Sequence, residues 1–184
     1  MRIISGKFKG RRFDPPIGKW PTRPTMDFTR EALFNVLNNR IDLVDISVLD
    51  IFGGTGSVSF EFISRGASNV TYVDSFYKAT VFVKQFATEL DVSHQMIVYK
   101  SDVLSFLKKT KENYDLIFCD PPYKYKYYNE VLQLIYDRKL LNADGLLILE
   151  HDAGNNFENH VQFIEARSYG ESKFSFLSGT RTIS

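Results

Sequence analysis

A chain of 184 residues with 43% hydrophobic composition can bury a full core, and it leaves no room for a second large domain. A formal net charge of +1 excludes a uniformly basic surface that wraps nucleic acid, and no apolar run reaches the about 18 residues needed to span a bilayer. MRIISGKFKGRR at the N-terminus carries charge with no apolar stretch behind it, so a cytoplasmic location is expected. The lone Cys119 excludes an intramolecular disulfide, gives no metal-binding spacing and reads as a small core residue.

Charge is concentrated at one end. Residues 1–30 hold eight Lys/Arg against Asp14 and Asp27, a balance of +6, and the rest of the chain is correspondingly acidic. RIISGKFKGRRFDPP reads as two short strands around residues 6–10, a hairpin closed by Pro15-Pro16, and the looped IGKWPTRPT follows. Asp27 is placed to cap a helix with Arg30 and Glu31 in its first turn. Phe28, Leu33, Phe34, Val36 and Leu37 form its apolar stripe, up to about Asn38. Such an extension suits contact with a phosphate backbone, and a solubilising arm is the alternative; the apolar residues in IIS and RRF and the tryptophan argue against a wholly solvated tail.

From Ile46 onward strands and helices alternate. ISVLDIF, NVTYVD, MIVYK, YDLIFCD and GLLILEHD read as strands, separated by helices in SVSFEFISRG, SFYKATVFVKQFATEL, VLSFLKK and YYNEVLQLIYD. These strands are continuous apolar runs, as in a parallel sheet covered on both faces. VQFIEARSYG and ESKFSFLS form an antiparallel pair joined at Gly170. The expected architecture is α/β: a doubly wound, mostly parallel seven-stranded sheet with a reversed C-terminal edge strand and a small N-terminal hairpin and helix.

Sheets of this kind bind ligands beyond the carboxyl ends of their strands, where strand order reverses. The first end, LDIFGGTGSVSFE, offers Gly53, Gly54 and Gly56 before a helix; it is neither GxGxxG nor a phosphate-binding loop, which disfavours a dinucleotide or triphosphate. The second ends at Asp74, 24 residues after Asp50, where a carboxylate can hold a ribose diol or cap the next helix. The third offers Asp102, which can bond an exocyclic adenine amine or cap the helix beginning at Val103. The fourth is DPPY, residues 120–123, in which two prolines stop the sheet ladder and stiffen the direction of Asp120 and Tyr123. Lys124 and Lys126, interleaved with Tyr125, Tyr127 and Tyr128, follow on what should be a mobile loop suited to nucleic acid; a helix cap with one solvated face would use the same residues, and Tyr127 and Tyr128 are alternatively packing residues.

His94, His151 and His160 show no metal-binding spacing. His151, after the GLLILE strand, either touches substrate or is a satisfied strand-end histidine. Ser57 and Ser59 lack the partners for nucleophilic catalysis.

With four motifs in order, RPTMDFTRE at 23–31, LDIFGGTGSVSFE at 49–61, VD at 73–74 and DPPY at 120–123, the chain resembles the RsmD family of class I S-adenosylmethionine-dependent methyltransferases, which methylate the exocyclic N2 of a guanine in 16S ribosomal RNA. The resemblance reaches about Ser178. It implies a Rossmann-like methyltransferase domain over 41–178, a basic extension over 1–40 and a loose tail at 179–184. It implies S-adenosyl-L-methionine as cofactor, with Asp50, Phe52, Gly53, Gly54 and Gly56 around the methionine part, Asp74 on the ribose, and Asp102 and Val103 at the adenine. Asp120, Pro121, Pro122 and Tyr123 would form the transfer site. Arg2, Lys7, Lys9, Arg11, Arg12, Arg23, Thr25, Arg30, Lys124 and Lys126 would face RNA, with Arg23 and Arg30 alternatively bracing the cleft. The implied partner is 16S ribosomal RNA, in the 30S subunit or an assembly intermediate, with no membrane and no obligate protein partner. FGGTG stands where FAGSG is commoner, Asp74 where Glu is usual, and KQFATEL where a KN pair is usual, so Gln85 receives no role. Methylation of an adenine or cytosine amine, and a noncatalytic RNA-binding factor of the same fold, are the alternatives.

Overall fold

The computed structural model describes residues 1–16, 18, 20, 27–122, 125–170 and 172–179. Its strands are β1 (Ser47–Ile51), β2 (Asn69–Asp74), β3 (Met96–Lys100), β4 (Tyr114–Cys119), β5 (Leu141–His151), β6 (Phe163–Tyr169) and β7 (Ser172–Ser178). The helices are α1 (Asp27–Asn38), α2 (Ser57–Ser64), α3 (Tyr77–Glu89), α4 (Val103–Leu107) and α5 (Tyr128–Asp137).

One sheet holds all seven strands in the order β3-β2-β1-β4-β5-β7-β6. β1 to β5 pair in parallel, and β7 runs antiparallel between β5 and β6, closing that edge as a reversed pair. Alternating residues of the central strands enter two cores. Val48, Val70, Tyr72, Leu116, Phe118 and Ile148 pack under α1, α2 and α3, while Leu49, Ile51, Val73, Ile117, Cys119 and Leu147 pack under α4 and α5. This two-sided burial is the reason the strands read as unbroken apolar runs.

Strand order reverses between β1 and β4, which lie side by side with Ile51 opposite Cys119. The loops leaving these two strands therefore open onto one crevice. By alternation, Asp50, Asp74 and Asp120 belong to the face that α1, α2 and α3 cover.

The N-terminal hairpin has one antiparallel bridge, Arg2 to Arg12, and ladder-like bonds from Ile3 N–H to Arg11 O and from Gly10 N–H to Ile3 O, both 2.9 Å. These replace the two strands expected there. Its tip presses on α2: Gly6 has φ +80°, and a Cβ there would fall 1.8 Å from the Ser64 carbonyl oxygen. Lys7 N–H donates to Ser64 O at 2.7 Å, and the N–H groups of Ile4 and Ser5 donate to the buried Glu61 carboxylate at 2.8 and 3.0 Å. Ile3 and Phe13 enter the same core as Phe60 and Phe86.

Two expectations are corrected at the element level. Phe28 is 70% exposed and lies outside the buried stripe of α1, which runs through Thr29, Arg30, Leu33, Phe34, Val36 and Leu37. β5 starts at Leu141, upstream of Gly145, because Leu141 pairs with Tyr114 across an irregularity in the ladder.

Candidate active site

The loop after β1 is built for close approach. A Cβ on Gly53 would lie 2.3 Å from the Tyr72 ring, and one on Gly56, at φ +76°, would lie 2.8 Å from Val83. Tyr72 seals the arrangement by donating its hydroxyl to Gly54 O at 2.7 Å. Phe52 also holds a left-handed backbone, φ 63°, which costs an L-residue about 1–2 kcal/mol and must be compensated by its surroundings. Its ring supplies part of that by meeting Tyr125 edge-on at 5.0 Å.

Three carboxylates stand at successive strand ends, each in a different state. Asp50 is buried, and its Oδ2 accepts the Ser59 hydroxyl at 2.5 Å, joining β1 to α2. Burial, with a further push from Asp74, raises its pKa to about 7 against the pull of the Ser59 bond. Asp74 accepts the Gly54 N–H on Oδ2 at 2.8 Å and the Phe76 N–H on Oδ1 at 2.7 Å. Each oxygen keeps a second lone pair, so the group holds the loop and still has acceptor capacity. Asp102 is exposed and caps α4, its Oδ1 accepting the Ser105 N–H at 2.9 Å.

β4 delivers Asp120 to the same crevice, and its N–H reaches Ile51 O at 3.4 Å. Pro121 is buried and Pro122 exposed; Tyr123 and Lys124 lie outside the described residues. Tyr125, in the loop that follows, makes several contacts. Tyr125 N–H donates to Pro122 O at 3.1 Å, and its ring meets Phe52, Tyr127 and Tyr128 at 5.0, 5.7 and 5.5 Å. Burial pushes the Tyr125 phenol up to about 12. Tyr128 is a packing residue against Phe157, whereas Tyr127 is 55% exposed.

A family profile described as "Conserved hypothetical protein 95" matches residues 1–178. YlbH of Bacillus subtilis (strain 168) is 36% identical over 155 residues, 83% of each chain. Ribosomal RNA small subunit methyltransferase D of Escherichia coli (strain K12) is 32% identical over 156 residues, covering 84% of this chain and 76% of that one. The chain belongs to the RsmD-like family, within the class I S-adenosylmethionine-dependent methyltransferases. The solved structure of yhhF from Escherichia coli superposes with a TM-score of 0.84 at 26% identity, over 97% of both chains. By this homology the protein is a methyltransferase.

The crevice of this RsmD-like protein fits the cofactor of the fold. The two tight glycines let the loop after β1 pack directly on Tyr72 and Val83, the buried Asp74 has acceptor capacity for a diol, and Asp102 beside the buried Val103 offers a further acceptor. Among the described residues no cluster of His, Cys, Asp and Glu could hold a metal ion, and none of the helices is long and apolar enough to cross a membrane.

The residues assigned to RNA divide. Arg2, Lys7, Lys9, Arg11 and Arg12 of the hairpin are exposed, as is Lys126; Arg23 and Thr25 lie outside the described residues. Arg30 is corrected: its side chain is 0% exposed and faces inward. It donates to Asp27 Oδ1 at 2.9 Å and to the Arg2 carbonyl, and its Nε lies 3.9 Å from Glu61. These contacts tie α1 and the hairpin to α2. His151 is the satisfied strand-end histidine: Nδ1 donates to Asp152 O and Nε2 accepts from Ser175 Oγ, both at 2.8 Å.

Sequence reasoning missed two buried carboxylates. Glu61 gathers the hairpin amides, Arg30 and, at 2.8 Å, Arg65, and its partners are up to 57 residues away in sequence. Glu150, near the end of β5, has a buried Oε2 with no hydrogen-bond partner among the described residues, and burial raises its pKa. Its signal was an acid at the end of an apolar run, the same signal that singled out Asp120.

Proposed function

We propose that the protein transfers a methyl group from S-adenosylmethionine to the exocyclic N2 amine of a guanine in 16S ribosomal RNA. The observation that carries this reading is the Asp-Pro-Pro turn at the end of β4, set beside the strained loop of β1 at the point where strand order reverses. When bound, the cofactor would supply an electrophilic sulfonium methyl, whose S–C bond breaks with the electron pair kept by sulfur as a neutral thioether.

The protein's own task is then to prepare a poor nucleophile, because the amine lone pair is delocalised into the purine ring. Asp120 and the Pro121 carbonyl accept the two N–H groups, drawing the nitrogen toward tetrahedral geometry and directing its lone pair. Pro121 is buried, its ring fixes φ, and the following Pro122 restricts the ψ that directs its carbonyl. Tyr123 stacks on the flipped base and offsets part of the few kcal/mol of unstacking. As the N–C bond forms, the amine gives up one proton, to Asp120 or to water. Asp74 holds the ribose, Asp102 and Val103 meet the adenine, and Asp50 with the glycine loop surrounds the methionine part.

The exposed cations of the hairpin support an RNA substrate held by its phosphates and selected by shape. The E. coli relative bears the name of a small-subunit ribosomal RNA methyltransferase, which supports the same substrate, presented in the 30S subunit or its assembly intermediate within the cytoplasm. The test is transfer from isotopically labelled cofactor to 16S RNA, 30S particles and DNA in parallel. Label in the ribosomal substrates supports the reading, and label confined to DNA overturns it.

A further inference from the structure

Phe76 joins the N-terminal extension to the carboxylate proposed to hold the ribose. Its backbone N–H donates to Asp74 Oδ1 at 2.7 Å while Asp74 Oδ2 takes the Gly54 N–H, so the turn over residues 74–76 sets the direction of that carboxylate. Phe76 is also the N-cap of α3 and makes no side-chain capping bond. Packing on its half-buried ring must therefore help to steady the turn.

Trp20, the one tryptophan of the chain, supplies this packing from 56 residues upstream. Its indole meets Phe76 edge-on at 5.6 Å and 76°, and Phe82, farther along α3, at 5.8 Å and 79°. Phe82 in turn meets Phe13 of the hairpin at 6.4 Å and stacks on Phe86 at 6.3 Å. A contiguous aromatic path thus runs from the extension to the residue beside Asp74.

We infer that Trp20 is a positioning residue of the cofactor site, acting through Phe76 to hold Asp74 in its accepting orientation. The inference rests on the reading of Asp74 as a ribose acceptor. Trp20 makes the extension part of the cofactor site as well as a surface for RNA.

The test is calorimetric titration of the full chain with S-adenosylhomocysteine, for wild type, Trp20→Ala and Trp20→Phe, each also in an Asp74→Asn background. Trp20→Ala weakens affinity about fivefold or more, and Trp20→Phe, which keeps an aromatic edge on Phe76, stays within about twofold. In the Asp74→Asn background Trp20→Ala adds less than about twofold, because the group it orients is already altered. A structural role without positioning gives losses that add, and additive losses overturn the inference. Unchanged affinity in Trp20→Ala overturns it while leaving the cofactor reading intact; absent binding by wild type overturns both. Should Trp20→Ala fail to fold, indole emission of the wild type decides. A change tracking calorimetric saturation supports the inference, and emission unchanged at saturation contradicts it.

Discussion

Asp74 Oδ2 accepts the Gly54 N–H at 2.8 Å, so the carboxylate at the end of β2 is also the strut of the loop that follows β1. Removing it has two consequences. Asp74→Ala takes away a proposed ribose contact worth about 1–3 kcal/mol when buried, and it strands the N–H groups of Gly54 and Phe76. Both cofactor affinity and thermal midpoint fall, measured by calorimetry and by thermal unfolding of the unliganded protein. Loss of stability with unchanged affinity would show that Asp74 is a strut alone.

Asp120 separates chemistry from binding. In the proposed mechanism its carboxylate acts on the amine of the substrate, so Asp120→Ala abolishes most methyl transfer and leaves cofactor affinity within a few-fold. Tyr123→Ala lowers turnover and Tyr123→Phe is better tolerated. Single-turnover rates set beside cofactor titrations check this, and near-normal turnover in Asp120→Ala contradicts the role of the carboxylate.

The regular elements were legible because their signals are local. β2 and β3 occupy the stretches NVTYVD and MIVYK, and the glycine loop, Asp74 and Asp120 all lie at the crevice where the strand-end rule puts them. Arg30 was misplaced because an arginine in a polar first turn looks solvated, and its burial depends on Glu61, 31 residues later and on another helix. Phe28 shows the reverse error, an apolar residue at a helix start that the core does not reach. Asp102 could not be resolved from sequence because a cap and a ligand contact need the same residue in the same place. Trp20 carried no motif, and its value comes from a contact with Phe76 that pattern reading cannot supply.

Arg30 and the hairpin cations should respond differently to mutation. Arg30→Met leaves the buried Glu61 short of a counter-charge and lowers stability, while the salt dependence of RNA binding is retained. Neutralising Lys7, Lys9, Arg11 and Arg12 together leaves the fold intact and lowers the slope of log K against log salt by up to about 3. Denaturant unfolding and filter binding at several salt concentrations distinguish them. A loss of slope in Arg30→Met would return that residue to the RNA surface.

Asp50 gives the protein a pH signature. Its carboxyl is raised from the ordinary range to about 7, so between about pH 4 and 7 the folded state binds more protons at this group than the unfolded chain does. The contribution of this group to stability therefore falls as pH rises through that window and is level above it. Asp50→Asn, which retains an acceptor for Ser59, removes this slope and gains relative to wild type as pH rises from 5 to 8. Thermal midpoints of the pair across that range check the sign; a difference that does not vary with pH contradicts it.

The proposed reaction is methylation of a guanine amine of 16S ribosomal RNA. The most direct measurement incubates it with isotopically labelled S-adenosylmethionine and either 16S RNA or 30S particles from a strain lacking the modification, then locates the labelled nucleotide by mass spectrometry. Label on the N2 of one guanine is the predicted result, and label on an adenine or cytosine amine, or on neither ribosomal substrate, would contradict it.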